Sequence, residues 1–216
     1  MKINKTLQNK LDEGRQYRSF DAKNFEVRAE EDGEKIVVGY ATTFNQPYML
    51  FSDGDYTVYE QIDSRAFDGC DMSDVIMQYD HVGRVFARTS NGTLEVTPDS
   101  IGLYTRASLG GTELGRQLYE EISGGYTTKM SFAFSVAEDN RDVTENHENG
   151  TVTVLRTITK IKKLYVVSAV SIPANDATSI SARNYGEGVI SVVSQELAAV
   201  KERERRKRKL KILLEI

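Results

Sequence analysis

Sulfur and imidazole are scarce in this chain. A single cysteine, Cys70, rules out an intramolecular disulfide framework and fits a reducing compartment, where a lone thiol serves as a small buried apolar group. With that one cysteine and only two histidines, His81 and His147, no zinc cluster can be assembled. Long apolar runs are missing as well. No stretch approaches the roughly 18 consecutive apolar residues of a membrane span, and the opening MKINKTLQNKLDEGRQYRSF is charged throughout, without the apolar centre of a secretory signal. The expectation is a soluble intracellular protein with no cofactor.

What is present suffices for one sizeable core: 216 residues, of which 39% are hydrophobic. The formal net charge of −4 conceals an asymmetry, because KERERRKRKLK at 201–211 carries eight basic side chains against two acidic ones, which leaves the body more acidic than the total. Such a run is read first as a solvated helix face, with docking on nucleic acid or an acidic partner as the alternative.

Strand signals dominate the body. EKIVVGYATTFN (34–45) and YTVYEQI (56–62) are rich in β-branched and aromatic residues, and VIMQYDHVGR (75–84) begins as a buried strand that breaks at Gly83. DSRAFDGC reads as a short capped turn or helix, and GTLEVTPD (92–99) with GLYTRASL (102–109) as a hairpin. In TELGRQLYEEIS (112–123), Leu114, Leu118 and Ile122 recur every four residues before a Gly-Gly stop, which predicts an amphipathic helix. A strand at 127–136 follows, then a polar loop or hairpin tip over 137–150 that ends in Asn149-Gly150. A long β-rich return over 151–175 is expected as two strands with a bend near Lys162-Lys163. From Ser194 onward the composition is strongly helical. The reading is mainly β with helices (α+β), a barrel or sandwich rather than βαβ winding. It divides into a mobile segment 1–22, a domain 23–184, and a linker with a basic helical tail over 185–216.

The strand TTKMSFAFSV (127–136) sets a bulky face of Met130, Phe132, Phe134 and Val136 against a face of Ser131, Ala133 and Ser135 only. The small face fits either tight packing or close approach of a substrate backbone to a serine. Ser131 is the candidate nucleophile, and a serine hydroxyl needs an adjacent base. His81, at the end of VIMQY, is the candidate base; His147, in the polar TENHENG stretch, reads as exposed.

Order and context add to this. YDHVGRVFARTSNGTLEV, then MSFAF, then VSAVSIPAN, preceded by VVGYATTFN and YEQIDSRAF, resembles the prohead maturation proteases of tailed bacteriophages, over about Tyr17 to Arg183. The resemblance implies a serine endopeptidase with the fold of the herpesvirus capsid-maturation proteases, a closed β-barrel with peripheral helices and here a C-terminal helix. It makes His81 the general base and Ser131 the nucleophile. It also implies the major capsid protein and its scaffolding segment as substrates, with the protease itself, inside the assembling procapsid of the host cytoplasm. Self-association of the chain is left open, and the acidic body offers no broad basic face for nucleic acid.

One position departs from the family pattern. The carboxylate that usually precedes V-S-x-V is replaced by Val166, in KLYVVSAV, and valine can neither accept a hydrogen bond nor stabilise an imidazolium. A working Ser-His dyad, a different carboxylate that reaches His81, and a catalytically impaired assembly scaffold of the same fold are the three readings. Asp80 would point away from His81 if the strand continued, and His147 would serve only if its hairpin folded back.

Overall fold

A computed structural model describes residues 14–21, 26–29, 34–170 and 176–214. The central feature is a hairpin of two long strands, β10 (Lys129–Glu145) and β11 (Val152–Val170). On the outer edge of β10 lies β1 (Gln16–Asp21), antiparallel. The outer edge of β11 is shared: its first half pairs in parallel with β5 (Tyr56–Ile62), and its second half with β6 (Ile76–Tyr79). β4 (Tyr48–Ser52) extends this sheet beyond β5, and β7 (Val82–Arg88) beyond β6. A second, antiparallel sheet runs β2 (Glu26–Ala29), β3 (Lys35–Thr43), β9 (Gly102–Ser108), β8 (Leu94–Pro98).

The bulky face of β10 turns into one apolar cluster that joins both sheets: Met130, Phe132 and Phe134 pack with Val37, Leu103, Met77 and Leu164, all buried. Phe132 and Phe134 stack with ring centroids 4.5 Å apart. Helix α1 (Glu113–Ser123) closes this core with Leu118 and Ile122, while Leu114 of the same stripe stays partly exposed. Thr112 caps the helix by accepting from the Gly115 amide at 3.0 Å.

Among the described residues the expected closed barrel is not found: no ladder links the two sheets, whose outer strands, β1, β4 and β7 in one and β2 and β8 in the other, pair only within their own sheet. The architecture of the described residues is mainly β, as two packed sheets with two α-helices.

Four further segments differ from expectation. The polar stretch 137–145 continues β10 instead of forming a loop, because Asp139 and Arg141 find buried ionic partners; Arg156 Nε meets Asp139 Oδ2 at 2.5 Å. Only residues 146–151 turn, closed by the Gly150 amide donating to Asn146 O. The bend at Lys162-Lys163 is a bulge in an unbroken β11, where Ser135 pairs with Lys163 and Val136 with Ile161. Finally, residues 185–193, read as linker, lie inside helix α2 (Asp176–Leu214); Tyr185, Val189, Val192 and Val193 pack against Val58, Val152 and Val154. Residues 201–211 are an exposed stretch of the same helix, with Arg206 reaching Glu202. Of the segment expected to be mobile, residues 16–21 form β1, and 1–13 lie outside the described residues, as does the end of the 151–175 return.

Candidate active site

Three strands and one turn assemble the site. β11 brings Ser168 between its neighbours, paired with Ser131 of β10 on one side and Gln78 of β6 on the other. Tyr79 then pairs with Val82 of β7, which leaves Asp80 and His81 as a two-residue turn. Both have positive φ, 48° and 58°, the signature of a type I′ hairpin turn. The strand therefore breaks at Asp80-His81, two residues ahead of Gly83, and a non-glycine residue at His81 is held in the left-handed region. The Asp80 amide donates to Ala169 O at 3.0 Å, which fixes the turn beside Ser168.

His81 reaches both serines. Its Nε2 lies 2.5 Å from Ser131 Oγ, and its Nδ1 lies 3.0 Å from Ser168 Oγ. Both serines are fully buried and the imidazole is mostly so. Tyr17 of β1 packs edge-on against the imidazole, with centroids 4.9 Å apart. Burial is the strongest influence on His81 and pushes its pKa from 6.5 down to about 4, with Asp80 opposing and the Arg15 cation assisting. The ring is therefore neutral at pH 7.

Of the residues singled out from the sequence, His81 and Ser131 meet although fifty positions apart. Val166 is buried on β11 beside Ala133 and Ile76, and the group behind the imidazole is Ser168, two residues further along the same face. Ser168 stands in VVSAV, and the signal that could have found it is its pairing with Ser131, a long-range register that one sequence does not display. His147 is exposed at the hairpin tip, and both hydrogen bonds of the His81 ring go to serines. Cys70 is half-buried, and desolvation raises its thiol to about 11, which makes it a poor nucleophile.

A hydroxyl behind an imidazole differs from a carboxylate. A carboxylate only accepts, so it forces the proton onto Nδ1; Ser168 can donate or accept and leaves both tautomers open. With the proton on Nδ1, Nε2 can take the Ser131 proton. With it on Nε2, it cannot.

The sequence model of one protein family covers residues 23–189, which contain His81, Ser131 and Ser168: caudovirus prohead serine protease. The chain belongs to that family. No curated protein sequence matches it. Among solved structures, the bacteriophage T4 capsid assembly protease, gp21, aligns over 72% of this chain and 98% of its own, with 12% identity and a TM-score of 0.37. Among the described residues no helix is long and apolar enough to cross a membrane.

Proposed function

We propose that the chain is a prohead maturation protease, a serine endopeptidase that cuts the scaffolding part of the capsid protein, and itself, inside the assembling procapsid. The observation that carries this reading is the 2.5 Å contact between Ser131 Oγ and a neutral, desolvated His81 Nε2. In the proposed reaction Ser131 Oγ attacks the carbonyl carbon of the scissile peptide while its proton passes to His81 Nε2. The imidazolium then protonates the departing amine, leaving an acyl-enzyme, and water repeats the sequence with His81 again as base. Ser168 is a positioning residue: accepting from Nδ1–H would hold the base-competent tautomer. Incubation with the capsid partner tests the reading. Cleavage that disappears in Ser131→Ala and in His81→Ala supports it; unchanged products in both would remove this pair, and no cleavage by the parent chain would favour an inactive scaffold.

The site also predicts a pH profile. A base whose pKa is lowered to about 4 stays deprotonated well below the range of a free imidazole, so the acid limb of kcat/KM is expected near pH 4 instead of near 6.5. Ser168→Ala removes the Nδ1 partner. A hydrogen bond of about 1–2 kcal/mol predicts roughly a 5- to 30-fold lower kcat/KM, with Ser168→Thr recovering much of it. A limb that stays at 6.5, or a Ser168→Ala variant as fast as the parent, contradicts the assigned roles.

A further inference from the structure

Strand β1 stands on the nucleophile. It precedes the part of the chain matched by the family, 23–189, yet three of its neighbouring features converge on the site. The Arg18 carbonyl oxygen accepts the Ser131 hydroxyl at 2.7 Å. Tyr17 covers the His81 ring, and Arg15, just before the strand, lies 4.2 Å over the ring of Tyr165. The Arg18 side chain turns the other way, into the protein, where Nε meets Glu60 Oε1 at 2.5 Å and NH2 meets Oε2 at 3.0 Å.

The Ser131 hydroxyl has one proton, and here it goes to Arg18 O. His81 Nε2 must then donate to Ser131 Oγ, and Nδ1 accepts from Ser168. That assignment places every proton of the row, but it is the tautomer that cannot act as base. Ser131 also has no exposed surface. The catalytic pair is intact and occupied by a peptide strand that hydrogen-bonds through a carbonyl oxygen to the nucleophile.

We propose that the edge of β10 beside Ser131 is a groove for an extended peptide with an arginine whose carbonyl meets the nucleophile, and that residues 16–21 fill it as a displaceable internal ligand. The inference rests on the protease reading and names the substrate class of the same site. Recognition is by strand addition: the ladder Gln16–Phe134, Arg18–Phe132, Asp21–Lys129 supplies affinity without regard to side chain, and alternate side chains supply selection. The selective element is Glu60, fully buried, which a ligand arginine satisfies and a ligand carboxylate would oppose. Substrates compete for this edge with the chain's own strand, and the open fraction limits the apparent rate.

The test uses the full-length chain and its Arg18→Glu variant, in which the strand's anchor is repelled by Glu60. A fluorophosphonate, which modifies reactive serines, is expected to label Ser131 at least about tenfold faster in the variant. A synthetic peptide with the sequence of residues 14–22 should bind the variant and slow that labelling. The same peptide with glutamate in place of arginine should bind at least about 30-fold more weakly. Equal labelling rates in two folded proteins, or no peptide binding, would overturn the inference while capsid cleavage by both keeps the protease reading. Peptide binding without any labelling or cleavage would do the reverse. Should Arg18→Glu not fold, hydrogen exchange on the unaltered chain decides: residues 16–21 are expected to exchange well ahead of 152–170. Exchange of both only together, through global unfolding, would show a permanent strand.

Discussion

Replacing Ser131 or His81 by alanine is expected to lower kcat/KM for the capsid partner by between about 10² and 10⁶, with the double variant no worse than the poorer single one. The upper bound is the loss when one member of a complete serine–histidine unit is removed. The lower bound follows from Ser168. An orienting carboxylate can supply about 10⁴ of that factor, and a hydroxyl that tolerates either tautomer supplies less, so the parent starts closer to the floor. Non-additivity is the diagnostic part, since two groups that exchange one proton fail together. Additive losses in the double variant would mean that Ser131 and His81 do not share the proton.

The largest expected effect on stability is at Glu60. Its carboxylate sits at the bottom of the β1–β10–β11–β5 sheet and accepts from Arg18, from Arg156 NH1 at 2.7 Å and from the Tyr48 hydroxyl. Burial alone would raise its pKa; Arg18 and Arg156 outweigh burial and hold it at about 2. Glu60→Gln leaves the buried Arg18 guanidinium without its counter-charge and Arg156 with Asp139 in place of two carboxylates, a loss of about 3–5 kcal/mol. For a chain of this size that lowers Tm by roughly 6–20 °C. Asp74→Asn, which breaks the exposed Arg88–Asp74 pair, should leave Tm nearly unchanged. The pH dependence has a definite sign. A carboxyl with pKa about 2 when folded and 4.5 when free stabilises fully above 4.5, and that contribution is lost as pH falls from 4.5 towards 2. Thermal melts across this window should show a steeper loss for the parent than for Glu60→Gln. A parallel pair of curves would mean the carboxylate is not held down by its neighbours.

Much of the local structure was legible because it follows from short-range periodicity. Helix α1 is set by a four-residue apolar repeat and a Gly-Gly stop, and the β8–β9 hairpin by its turn. The alternation of β10 correctly separated a core face from a face of small residues that meets the site. Partnership decided what was missed. Residues 137–145 look like a loop by composition, since Asp139 and Arg141 are tolerable inside only because Arg156 and Tyr185 lie opposite. Residues 16–21 look like part of a mobile terminus, since Arg18 becomes a buried residue only by meeting Glu60, 42 positions away. Ser168 does not stand out in the sequence, because Val166 occupies the family's carboxylate position and nothing local shows that Ser168 is the residue facing Ser131. Closure of a barrel depends on whether the outer strands of the two sheets pair with each other, which the separate strand signals do not show.

The most direct measurement is the site of covalent attachment. After prolonged exposure of the full-length chain to a fluorophosphonate, mass spectrometry is expected to find one phosphonyl adduct, on Ser131, and none in His81→Ala. An adduct on another serine, or equal modification of Ser131 without His81, would contradict a serine activated by this imidazole.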